Sequence, residues 1–102
     1  ITYGAKSLHF EFGDAEIGEK ATFSANGAIS GTVERDLTIK GECKLNHNNG
    51  EGQGKITIKG KLTVEGENAD VKFAGIETKA NEALLLRELT IAENSTLDAK
   101  HT

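Results

Sequence analysis

The chain has 102 residues, a formal net charge of −4 and a pI near 5.3, with Lys spread among Glu. That is enough for one domain with one core, and it lacks the basic stripe that nucleic acid or an anionic membrane requires. There is no Pro, Met or Trp, and the aromatics are four Phe and one Tyr, so the core must be built mainly from smaller side chains. Twelve Gly among many Thr, Asn and Lys predict short strands and frequent tight turns. No apolar run approaches the ~18 residues of a membrane span, so membrane insertion is not expected. Position 1 is Ile rather than Met, which predicts a start after a processed leader or inside a longer protein. The single Cys43 excludes an internal disulfide and reads as a small buried filler of a strand.

In chain order, "SLHFEFGD" alternates, with Leu8, Phe10 and Phe12 on one face and His9 and Glu11 on the other. "ATFSANGAISGTVE" places Phe23 before Asn26–Gly27, a tight-turn signal, and then Ile29 and Val33. "DLTIKGECKLNH" supplies Leu37, Ile39, Cys43 and Leu45. "NHNNGEGQG", 46–54, reads as a mobile polar loop, with Asn46, His47, Asn48, Asn49, Glu51 and Gln53 as candidate partner-binding residues. "KITIKGKLTVEG" supplies Ile56, Ile58, Leu62 and Val64, and "ADVKFAGIETKA" supplies Val71, Phe73 and Ile76. "TKANEALLLREL" has a helical alternative, with Asn81 as cap, but its adjacent Leu residues break a helical stripe and favour a buried strand. "LTIAENSTLDA" closes with Leu89, Ile91 and Leu97.

Short apolar–polar–apolar triplets recur, centred on Thr22, Thr38, Thr57, Lys72 and Thr90 at intervals of 16, 19, 15 and 18 residues. "EIGEKATFSA" and "TIAENSTLDA" also align without gaps. A β-solenoid explains such a soft repeat, because loops at its corners vary freely while strands stack. The expected fold is all-β, a parallel β-helix of about five irregular coils with each triplet at a similar coil position. The competing architecture is an antiparallel β-sandwich. The chain 1–102 is read as one β-rich domain or a piece of a longer solenoid. Its leading strand lies in 1–14, exchanged or capping, and its coils in 15–100.

The wording of "DLTIKG", "KITIKGKLTVEGENADVKF" and "LTIAENSTLDA" resembles the passenger regions of secreted bacterial β-helical proteins, the autotransporters and the adhesins of two-partner secretion. The resemblance covers roughly 15–100 and lies in style rather than in a diagnostic motif. It implies a right-handed β-helix, export to the bacterial surface or beyond, and function by display rather than catalysis.

Other chemistry is weaker. Carboxylates cluster at Asp14, Glu16 and Glu19 and at Glu65, Glu67 and Asp70. A glycan hydrolase or lyase needs a carboxylate pair at defined separation, usually with aromatics to hold sugar. Turn and solubility chemistry accounts for these clusters more simply. Cys43 and His47, four apart on a strand, share a face but lie too far apart for one metal ion. Acidic bends suit Ca²⁺ only in a general way, without EF-hand spacing. "NST" makes Asn94 a glycosylation candidate, and "GEGQGK" lacks the ending of a phosphate loop. Thr38, Thr57 and Thr90 would form an ice-binding row only if they shared one outer face. The leading expectation is a non-catalytic structural or adhesive segment of a secreted or surface-displayed bacterial protein. The alternatives are a subunit of an extracellular fibre and a carbohydrate-active β-helix. The expected partner is a protein, either another copy or a host or matrix receptor, with a glycan as a further class.

Overall fold

The computed structural model describes residues 2–3, 7–48, 52–92 and 94–100, with only the backbone described for 2–3. Its strands are β1 (Thr2–Tyr3), β2 (Ser7–Phe12), β3 (Ala15–Ile17), β4 (Thr22–Val33), β5 (Leu37–Ile39) and β6 (Glu42–His47). They continue with β7 (Gly54–Val64), β8 (Asp70–Ala74), β9 (Ile76–Leu86), β10 (Leu89–Ile91) and β11 (Thr96–Ala99). All pairings among the described residues are parallel, which removes the antiparallel sandwich. The chain is a β-solenoid of about four turns.

Each turn visits three faces. The first face stacks β1, the start of β4, β6, β8 and β10. The second stacks β2, the end of β4, the start of β7, the start of β9 and β11. The third stacks β3, β5 and the ends of β7 and β9. The leading strand β2 is therefore the second face of the first turn, paired in register with its own chain from Ser7↔Ala28 to Phe12↔Val33.

Alternation along each strand sends one set of side chains inward, and stacking aligns them into columns. The first face stacks Phe23, Cys43, Val71 and Leu89, and beside it Ala25, Leu45, Phe73 and Ile91. The second stacks Phe10, Gly31, Ile56, Thr78 and Leu97. The third stacks Ile17, Ile39, Val64 and Leu86. Large and small members alternate where space demands it. A Cβ on Gly31 would lie 2.1 Å from the Phe10 ring, so the glycine is what lets Phe10 lie flat on the second turn. Cys43 is 2 % exposed, the buried filler that its position suggested.

Two sequence expectations need correction, and one alternative is removed. The triplets do not occupy one coil position. Thr22, Lys72 and Thr90 lie on the first face, Thr57 on the second and Thr38 on the third. Thr38, Thr57 and Thr90 therefore form no common row. True turn-to-turn advances on the first face run Thr2, Ser24, Lys44, Lys72 and Thr90, which is 22, 20, 28 and 18 residues. Each turn carries a comparable strand on every face, so the spacing along the chain mixed steps between faces with one full turn, from Lys72 to Thr90. Second, Asn26–Gly27 makes no hairpin. It is a corner inside the continuous β4, with Gly27 at φ 143°, because a solenoid bends its chain from face to face and never reverses it. The favoured strand reading of "TKANEALLLREL" holds over the helical alternative. Its residues 78–86 belong to β9 and Leu89 opens β10, and Asn81 donates its amide to the carbonyl of Lys59 at 2.7 Å instead of capping a helix.

Candidate functional site

The corner between the first and second faces gathers most of the residues singled out as binding candidates. β4 turns it through Gly27 and Ala28, and β8 and β9 through Gly75 alone. In the third turn the same corner carries the extra segment 48–53 between β6 and β7. The proposed loop is thus shorter than 46–54. Asn46 and His47 belong to the β6 ladder and Gly54 opens β7. Asn48 and Gln53 are exposed at the base of the segment, and Asn49 and Glu51 lie outside the described residues.

Polar bonds lock this corner across turns. The side-chain amides of Asn46 and Asn48 both donate to Oδ1 of Asn26, the first at 3.1 Å. Gln53 Nε2 donates to the carbonyl of Asn94 at 2.5 Å, joining the end of the inserted segment to the following "NST" stretch. Asn94 is exposed at φ 64°, a left-handed conformation that Asn tolerates.

Beneath the corner, one backbone position is solved differently in successive turns. Ile29, Gly54 and Ile76 stand at equivalent register. The N–H of Ile29 donates to His47 Nδ1 at 3.0 Å, that of Gly54 to the carbonyl of Gly75 at 2.8 Å, and that of Ile76 to Ser95 Oγ at 3.3 Å. Ser95 in turn donates to the carbonyl of Phe73. Since His47 Nδ1 accepts, its proton resides on Nε2, a buried atom without a partner among the described residues. His47, half-buried, is thus bonded through its ring into the backbone of the preceding turn. Its backbone also packs against Gly75, where a Cβ would come 2.6 Å from the His47 carbonyl oxygen.

The opposite corner, between second and third faces, is a ladder of acids. Arg35 Nε donates to Asp14 Oδ2 at 2.9 Å, and the Asp36 N–H donates to Asp14 Oδ1. Those bonds hold the Asp14 carboxyl below its usual pKa, Arg35 being the larger cause. Asp36 Oδ1 accepts from the Lys61 N–H at 3.0 Å one turn on. Asp14 is thus a corner residue. Of the second acidic cluster, Asp70 pairs with Lys44 at 3.2 Å, and their hydrogen bond raises the lysine pKa. Among the described residues, no group of three or more His, Cys, Asp or Glu could hold a metal ion.

A feature with no counterpart in the sequence reading is an apolar cavity of about 310 Å³ in the first turns. Phe10, Phe12 and Phe23 form its walls. Phe10 stacks on Phe12 at 5.2 Å between centroids and meets Phe23 edge-on at 5.9 Å. Val33, Leu37, Cys43, Leu45, Ile56 and Phe73 form its buried floor. Burial pushes the Cys43 thiol up to about 12, so it is a neutral wall residue. Only the register of the turns brings these residues together. Comparison of the chain with protein-family models, curated proteins and solved structures gives no match.

Proposed function

We propose that the chain is a non-catalytic structural and adhesive segment of a secreted or surface-displayed bacterial protein, with a protein receptor on a host or matrix surface as its partner. The observation that carries this reading is the segment 48–53. Neighbouring turns close the same corner with one or two residues, so the ladder does not need the insertion. A polar segment inserted into a rigid scaffold is where binding residues concentrate. Export and bacterial origin rest on the resemblance of "KITIKGKLTVEG" and its neighbours to β-helical passengers.

The test removes 48–53 and joins His47 to Gly54 through one glycine, as β4 does. The variant should keep its strand circular dichroism and melting midpoint. Beads coated with it should lose most of the adherence to an extracellular-matrix layer that the intact chain confers. Undiminished adherence by the shortened chain would overturn the assignment of binding to this corner.

A second reading, a fibre subunit stacking end to end, is favoured by the apolar side chains at the ends of the solenoid. Phe12 is 44 % exposed in the first turn, and Leu84 and Leu85 are 66 % and 53 % exposed in the fourth.

A further inference from the structure

We infer that the cavity inside the first turns is a binding site for a neutral, compact apolar molecule of bicyclic-aromatic size. Its volume of about 310 Å³ is roughly twice the ~150 Å³ that suffices to hold benzene in an apolar interior. All four Phe of the chain line it. Such walls suit stacked and edge-on contact with a flat ring.

The mouth decides the class of ligand. The exposed members of the lining are Phe12, Asp14, Glu16 and Ala21. Each carboxylate there already has a cation: Asp14 is bonded to Arg35 at 2.9 Å, and Glu16 lies 3.5 Å from Lys40. Among the described residues the rim therefore offers no uncompensated charge to an ionic headgroup, and an apolar molecule gains by leaving water. The space arises from small residues at two column positions. Ala15 stands where the next turns place Leu37 and Leu62, and Cys43 stands between Phe23 and Val71.

The probe is N-phenyl-1-naphthylamine, an uncharged dye that brightens in apolar sites. The chain has no Trp to interfere. Intact protein should give a saturable, one-site rise in emission, and an excess of decanoate should not displace the dye. Ala15→Leu extends the leucine column into the cavity. It should weaken binding at least tenfold with an equal or higher melting midpoint. Cys43→Leu, which fills the other wall, gives the same readout if Ala15→Leu misfolds. No saturable emission, displacement by decanoate, or full binding in a folded filling variant would each overturn the assignment. So would dye binding that disappears as the chain self-associates, since a second copy would then occupy the mouth.

Discussion

Cys43 shows how a residue's role follows from its column. It is sealed between Phe23 and Val71, and burial disfavours its thiolate, raising its pKa from 9.0 to about 12. Below pH 9 folded and unfolded chains both keep the thiol proton, and Cys43 makes no pH-dependent contribution. Between pH 9 and about 12 only the unfolded chain loses that proton, so stability is lost as pH rises. The slope from this group is about 1.4 kcal/mol per pH unit. Urea titrations from pH 8 to 11 should therefore show a shallower alkaline loss for Cys43→Ala than for the parent chain, although the variant starts less stable. Identical slopes would mean that the thiol is not sealed. Thr78 is the opposite case. It is fully buried in the column between Ile56 and Leu97, and its hydroxyl has no partner among the described residues.

At the scale of elements, corners rather than strands carry the specific requirements. Strands repeat one alternating pattern, and many sequences satisfy it. The corner between third and first faces is stricter. A Cβ on Gly41 would fall 2.3 Å from the Gly18 carbonyl oxygen and 2.4 Å from that of Ala21, whereas one on Gly18 would meet nothing within 4 Å. Both obstacles are backbone, so neither can swing away. Gly41→Ala should cost at least about 2 kcal/mol, and Gly18→Ala should stay within about 0.5 kcal/mol. Chemical denaturation of the two variants measures the difference, and equal midpoints would show that the corner opens freely. The exposed ion pairs on the outer faces, such as Lys59–Glu34 at 2.9 Å, contribute little by comparison.

At the scale of the molecule, parallel stacking makes each turn depend on its neighbours. A strand with one neighbour presents unpaired N–H and C=O groups on its other side. β2 and β3 are bounded in this way at one end of the stack, and β10 and β11 at the other, among the described residues. Exposed Phe12, Leu84 and Leu85 add apolar surface to those regions. If end-to-end stacking operates, light scattering after size-exclusion chromatography should give a mass that climbs with concentration. Negative-stain microscopy should then show filaments with an axial repeat of ~20–25 Å, the height of four to five ladders. A constant monomer mass across the series would sink the fibre reading and leave the adhesive one intact.

Much of the inner surface was legible from the sequence. Leu8, Phe10, Ile29, Ile39, Ile56, Ile58 and Val71 are buried as their alternation required, because period-2 patterning states directly which side chains leave water. The scarcity of aromatics pointed to a core of smaller side chains, which stacked ladders supply. Register was not legible. A turn contains several equivalent strands, so the repeat along the chain cannot say which strand lies over which. Only the closed ladder decides that Phe10 covers Gly31, that His47 reaches Ile29, and that Thr38, Thr57 and Thr90 lie on different faces. The candidate loop was legible as polar chain, but its true extent was not. Asn46 and His47 are held by partners some 20 residues away, a distance that local pattern does not span. The cavity belongs wholly to the tertiary structure, since its walls come from separate turns whose alignment is set by backbone pairing.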